Sequence, residues 1–412
     1  LKLDLFAMPT IPSTNEERGT LRPIGRNTER YQMMLDELRQ LVILADELGV
    51  DAFSTTEHHF HTEGGEVSVN PVLLYADFAA RTKRITFAPM SIVLPTADPI
   101  RVAEDIAILD QLTKGRVAVA FARGYQKKWM KVLGQGAEAA TGQGDQGDSA
   151  NRDIYDEKLE IVQKAWTEDC FSHDGHHYKV PFPFEGIDGW AAPDWTRAYG
   201  AEGEIDDQGI IRKIGVVPRP YQVPHPPIWA PFTLSEKSLI DCAHRGIMPW
   251  VFESSPEGFL KWANLYRDEA AKGGHKLKLG QRLGAVRAIT IGKTREEAFE
   301  LAAETTGYEY HNYFNLFGFG EVFRSPEDDP KMRPLKFKDQ RIATQRMIDK
   351  GYQLCGTIDD VKRQMEALVK CHGDGDLEWI SWNFFYQGTV PWQVQADQLE
   401  LFVTKVLPEF HY

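Results

Sequence analysis

Cysteine is scarce. Cys170, Cys242, Cys355 and Cys371 are the only four in 412 residues, they lie far apart, and none forms a Cys-x-x-Cys pair. A disulfide framework or a zinc ribbon is therefore not expected, and a reducing cytoplasm is the expected setting. Long apolar runs are missing as well: no stretch reaches the roughly 18 consecutive apolar residues of a spanning helix. Basic residues are in deficit, 47 Lys+Arg against 60 Asp+Glu for a net charge of −13. With no local basic stripe, such a chain repels phosphate backbones, so neither nucleic acid nor a membrane is an expected partner. The opening Leu1-Lys2-Leu3-Asp4-Leu5-Phe6 is too short and too alternating for a secretory signal.

What is present is a regular alternation of strand-like and helix-like segments. Strands are read at residues 3–8, 51–56, 84–94, 116–122, 228–231, 246–252, 282–291 and 379–385. Asn27-Thr28, Asn70-Pro71 and Asp98-Pro99 are cap signals that open the first three helices, and Thr294 to Glu297 has capping-box spacing. Residues 134–151 read as a loop, 154–166 as a helix, and Thr357 to Asp360 as another helix start. Eight strand–helix units predict an α/β chain folded as a closed (β/α)8 TIM barrel. An open doubly wound sheet is disfavoured, because no Gly-x-Gly-x-x-Gly follows the first strand. Insertions are placed after strands four and seven, at about 126–227 and 308–346, within one domain over 1–412.

In such barrels chemistry sits at the carboxyl ends of the strands. After strand two stand Glu57-His58-His59-Phe60. Adjacent side chains diverge, so at most one of the two histidines is expected to face the centre and act on protons, with the other on the substrate side; hydrogen bonding of both to the barrel rim is the alternative. After strand four, Arg123-Gly124-Tyr125 suits a phosphate, although a rim salt bridge explains the arginine equally well. After strand five, Phe232-Thr233-Leu234-Ser235 leads into a helix whose free N–H groups make an anion seat. Trp250 and Trp382 are read as walls of a dry aromatic pocket fit for an isoalloxazine ring and an apolar substrate. The run Cys170-Phe-Ser-His173-Asp-Gly-His176-His177 reads as a hairpin around Asp174-Gly175, so no metal is expected there.

The run from Val93 to Arg116, with Glu57-His-His-Phe60 and Phe121-Ala-Arg-Gly-Tyr125, resembles the alpha subunit of bacterial luciferase. The segments 218–228 and 356–361 are similar to motifs of the wider luciferase-like flavin monooxygenases. The resemblance implies a TIM barrel that takes reduced FMN from a separate NAD(P)H:flavin reductase. Dioxygen then adds at the flavin C4a position, and the protein shelters the adduct from water. It implies His58 as the catalytic histidine, Arg123 on the FMN phosphate, and Phe232 and Ser235 on the same phosphate. It also implies a non-prolyl cis bond between Met90 and Ser91 against the flavin ring, and a homodimer.

This chain departs from the pattern in having Ala122 where luciferase has a reactive cysteine, Pro231 where it has an acid, and a longer segment 180–215. The expected activity is a two-component FMN-dependent monooxygenase oxidising a largely apolar organic substrate, by carbonyl oxidation, Baeyer–Villiger insertion or hydroxylation. An F420-dependent hydride-transfer enzyme and a non-catalytic partner subunit like the luciferase beta chain are the alternatives. The insertion 308–346 holds the place of a lid or of an oligomer contact.

Overall fold

The alternating Lys2–Ala7 segment forms the first parallel strand, β1, followed along the chain by β2 (Ala52–Thr55), β3 (Thr86–Val93) and β4 (Val119–Ala122). Then come β5 (Ile228–Thr233), β6 (Met248–Val251), β7 (Gly284–Ile291), β8 (Gln353–Gly356) and β9 (Trp379–Phe384). The fold is a (β/α)8 TIM barrel. This is a computed structural model, and it describes residues 1–140, 146–370 and 377–410. Cys371 and part of the 134–151 loop expectation lie outside the described residues. The chain divides into two compact units, Leu1–Ser91 with Ile228–Tyr412, and Ile92–Pro227. No described helix is long and apolar enough to cross a membrane.

In the first unit the parallel pairings run β5–β6–β7–β9–β1–β2–β3. The eight strands expected from sequence are all present. The addition is β8, which pairs with the far half of β7, Gln353 opposite Ala288 through Gly356 opposite Ile291. Its Gln-Leu-Cys-Gly sequence has little intrinsic strand preference. Tertiary contact supplies the register instead, with Gln353 Nε2 donating to Thr290 Oγ1 at 3.1 Å.

The helix starts follow the cap signals. Asn27, Asn70 and Asp98 each accept a first-turn N–H, and the helix Thr28–Leu48 ends on Gly49 at φ 85°. Thr294 accepts from the Glu297 N–H, but the Glu297 carboxylate reaches the Lys293 N–H instead of closing the box. A complete capping box lies at Thr14 and Glu17, and Thr357 and Asp360 make the same reciprocal pair of bonds.

In the second unit, Trp166 Nε1 donates to the Ala103 carbonyl at 3.0 Å, joining the helices Gln146–Thr167 and Pro99–Thr113. The first of these begins earlier than the expected residue 154. Its opening turns are rich in Gly, Asp, Ser and Asn, all poor helix formers. Two of them are fixed from outside: Asp148 accepts from Arg123, and Asn151 Nδ2 donates to the carbonyls of Arg123 and Glu138. Strands His173–Asp174 and Lys179–Val180 pair antiparallel around the turn, as expected.

Asp4 lies completely buried on the inner face of β1 and accepts the hydroxyls of Ser54 (2.8 Å) from β2 and Ser381 (2.7 Å) from β9. Desolvation pushes its carboxyl up from 3.8 to about 7, against the opposing pull of those two hydroxyls. The folded chain thus holds this proton more tightly than the unfolded chain. The associated stability is full below about pH 4 and is lost as pH rises toward 7. Across that window the loss is about 1.4 kcal/mol per pH unit. Asp4→Asn keeps the shape without a titrating proton, so its melting temperature relative to the parent should improve between pH 5 and pH 8. Parallel melting curves for the two proteins across that range would remove the assignment.

Candidate active site

The two histidines after strand two take different partners. His58 is 4% exposed, with Nδ1 3.0 Å from Thr56 Oγ1 and 3.1 Å from Glu66 Oε1. His59 turns the other way, its Nε2 2.9 Å from Glu57 Oε1. Backbone conformation after this strand is unusual. Phe60 has φ 65° and Glu66 φ 48°, both in the left-handed region that disfavours side chains.

Two further non-glycine residues of the first unit share that strain at carboxyl ends of strands, Ser91 at φ 114° near the end of β3 and Phe232 at φ 44° near the end of β5. The expected cis bond between Met90 and Ser91 is absent. Among the described residues every cis peptide precedes proline, and the irregularity here sits in the φ of Ser91. Met90 is buried, on the same strand parity as Ala88.

The register between β5 and β6 shifts between Ala230 and Thr233, a bulge that contains Pro231 and Phe232. Proline is suited to that place because it has no ladder N–H to lose. Phe232 points inward, edge-on to Phe6 (5.4 Å), Phe252 (5.9 Å) and Phe319 (6.1 Å). Thr233 is buried, while Leu234 and Ser235 are exposed. Ser235 caps the ten-residue helix Glu236–Arg245. The first-turn acid, Glu236, pairs with Lys261 Nζ at 2.6 Å, which tempers its opposition to an anion at that end. An accessible helix start with a hydroxyl and an aromatic inner face suit the phosphate and the ring of a flavin nucleotide, respectively.

In the second unit, Arg123 Nη1 donates to Asp148 Oδ1 at 3.0 Å, the salt-bridge alternative read from the sequence. An anion bound by this guanidinium would share it with Asp148. Gly124 at φ 78° is required sterically, because a Cβ there would lie 2.4 Å from Met130 Sδ and 2.8 Å from Val93 Cγ1. Tyr125 accepts through its hydroxyl from Gln126 Nε2 at 3.1 Å. In the histidine-rich hairpin, the Glu157 carboxylate accepts the backbone N–H groups of His176, His177 and Tyr178.

The two tryptophans are not pocket walls. Trp250, 1% exposed, stacks edge-on with Trp229 and Trp379, and Trp379 starts β9, so the ring belongs to the amino-end core. Trp382 is fully buried against Phe384 and Phe402, the latter on the C-terminal helical segment outside the barrel. Alternation explains the error: Ser381 and Asn383 take the inner face, which sends Trp382 outward. Sequence reasoning missed Glu66, His61 and Tyr313, which gather around His58. The first two sit in a Gly-rich polar loop with no periodicity, and Tyr313 lies far away along the chain.

The chain matches the family model described as luciferase-like monooxygenase over residues 17–374. It is 32% identical over 376 residues to an alkanal monooxygenase alpha chain of Photorhabdus luminescens, covering 89% of this chain and 88% of that one. Its fold is similar to that of the oxygenating constituent of 3,6-diketocamphane monooxygenase from Pseudomonas putida, a type II Baeyer–Villiger monooxygenase solved in complex with FMN. That match has TM-score 0.71 and 21% identity over 100% of this chain and 99% of the other. A coenzyme F420-dependent tetrahydromethanopterin reductase from Methanopyrus kandleri shares the fold at TM-score 0.64 and 14% identity, with 100% and 99% covered.

Left-handed backbone at a side-chain-bearing residue costs on the order of 1–3 kcal/mol. Ser91→Gly should therefore raise the unfolding free energy by about 1 kcal/mol, read from urea denaturation. A variant no more stable than its parent would show that Ser91 carries no strain.

Proposed function

Since the chain belongs to the luciferase-like monooxygenase family, we propose that it is the oxygenating component of a two-component system. A separate NAD(P)H:flavin reductase supplies reduced FMN, and dioxygen provides the atom inserted into a largely apolar organic substrate. The reaction is carbonyl oxidation, including Baeyer–Villiger insertion, or hydroxylation. The FMN in the diketocamphane monooxygenase structure and the alkanal substrate class in the luciferase relative's name support this choice. The observation that carries it is local. A buried histidine and four strained side-chain-bearing residues, Phe60, Glu66, Ser91 and Phe232, follow or end the strands β2, β3 and β5. Strain tolerated at such positions points to function.

Reduced FMN supplies the electrons and the carbon centre at which dioxygen reacts. The protein's part is to bind, orient and protect. Ser235 and the N–H groups that follow it hold phosphate, with the backbone of Phe232 and Thr233 shaping that turn. Arg123 and Tyr125, in the second unit, are assigned to phosphate binding on the family resemblance alone. Met90 and Ser91 support the flavin ring. His58 moves a proton through Nε2, the nitrogen opposite its Thr56 and Glu66 contacts, and His59 borders the substrate. The aromatic inner face around Phe232 excludes water. The family also implies a homodimer.

The reading is tested by turnover with reduced FMN, ¹⁸O-labelled dioxygen and a panel of aldehydes, ketones and aromatics. Product carrying one labelled oxygen is expected. The F420 reading, favoured by the likeness to the tetrahydromethanopterin reductase, requires instead retention of F420 over FMN and unlabelled, hydride-reduced product. That result would overturn the proposal. His58→Ala should lower turnover by roughly 10²–10⁴-fold while leaving FMN affinity intact, and undiminished coupled turnover would remove its role. Arg123→Ala should weaken FMN by about 1.5–3 kcal/mol in a binding titration; an unaltered dissociation constant refutes it.

A further inference from the structure

Glu66 is a carboxylate out of place. It is 3% exposed, and neither of its oxygens has an aligned hydrogen-bond donor. Two imidazoles flank it instead. Oε1 lies 3.1 Å from His58 Nδ1, and Oε2 lies 3.8 Å from His61 Nδ1. The two rings stack on each other at 5.6 Å with 19° between their planes. His58 Nδ1 also lies within hydrogen-bond reach of Thr56 Oγ1 at 3.0 Å, so its approach to Glu66 is a second, off-axis contact rather than a directed hydrogen bond. A buried carboxylate without donors is costly unless a positive charge compensates it. Among the described residues, the groups within 4 Å of it able to carry that charge are these two histidines.

His61 is itself clamped. Its Nδ1–H donates to the Gly65 carbonyl at 2.9 Å, and its Nε2 lies 3.3 Å from the Tyr313 hydroxyl. Tyr313 belongs to the insertion after strand seven. From the same insertion comes Glu309, whose carboxyl is pushed up to about 7 by desolvation, with Glu66 adding to the rise and Arg18 opposing it. Arg18, on the helix Asn15–Thr20, donates to the Glu63 carbonyl at 3.1 Å. Charged and titratable groups near the couple include Arg18, His61, Glu63, Glu309 and Tyr313, and Glu57 pairs with His59.

We propose that Glu66 is a positioning residue for His58: its carboxylate fixes the imidazole and stabilises the positive charge that forms whenever His58 takes up a proton, and His61 with Tyr313 ties the couple to the insertion 308–346. The proposal rests on the reading of His58 as the proton-moving group. It assigns Glu66 the part a buried acid plays behind a catalytic histidine, acting by orientation and charge without touching the substrate.

The test compares Glu66→Gln, Glu66→Asp and Tyr313→Phe with the parent and with His58→Ala. The ring-nitrogen NMR signals of ¹⁵N-histidine-labelled protein without flavin report on His58 directly. In Glu66→Gln the His58 ring-nitrogen signals should move away from their parental positions. Turnover should fall roughly ten- to a hundredfold at unchanged KM, short of the loss for His58 itself, and the pH–rate profile should change with it. Glu66→Asp should recover part of the loss, and Tyr313→Phe should shift the ring signals less. Ring signals and pH–rate profile both unmoved in a Glu66→Gln protein that melts like its parent overturn the Glu66 assignment and leave His58 standing. Parental turnover by His58→Ala sinks the proton-moving reading first, whatever Glu66 does to the ring signals.

Discussion

Side chains alternate between the two faces of a parallel strand, and in a closed barrel that alternation decides which groups face a shared interior and which face the helices. Here it puts Asp4, Ser54 and Ser381 together on the inner face and turns Trp382 out toward Phe402. It also brings Phe6 and Phe232, on strands β1 and β5, into edge contact. A one-residue slip in any strand would exchange these sets. Everything proposed for the site presupposes that the register holds at β1, β2 and β9, where the Asp4 cluster cross-links three strands through hydroxyl donors. An acid in that place disfavours a one-residue slip, which would leave the carboxyl facing apolar helix surfaces.

Much of this was legible in the sequence. The eight strand-and-helix units, the caps at Asn27, Asn70 and Asp98, and the placing of His58 at the end of strand two all follow from local signals, because periodicity and capping are local physics. What failed was long-range. Gln353–Gly356 is a strand only because Thr290 and its neighbours hold it, and the helix from Gln146 starts early because Arg123 engages Asp148. Trp250 and Trp382 were misplaced since proximity to a strand end says nothing about which face a ring occupies. Asp4, an acid between two leucines, did carry a signal that a buried polar cluster exists.

The loop after strand two shows a different limit. His58 was recognisable from its neighbours Glu57, His59 and Phe60, but the residues that surround its ring were not. Glu66 follows two glycines in a polar stretch that reads as solvated loop, and Tyr313 is drawn from an insertion whose composition gives no hint of its partner. Their assembly depends on backbone held at positive φ at Phe60 and Glu66, which folds the loop back so that the Val67 N–H reaches the Pro9 carbonyl and the His58 N–H reaches Ser68.

Two costs therefore coincide beside one imidazole: a strained loop and a carboxylate without donors. Each alone would be removable by ordinary substitution, with glycine at the strained positions or an apolar residue at position 66, and stability would gain. Their coexistence within a few ångströms of His58 is more than packing requires, because the hydrophobic core around Phe53, Tyr75 and Phe78 closes the same strand from its outer face without help from either. Arranged this way, a positive charge arriving on His58 meets a preplaced counter-charge, and little needs to reorganise when it does. That is a property useful to a proton-transfer step and of no use to a barrel that has only to stay folded.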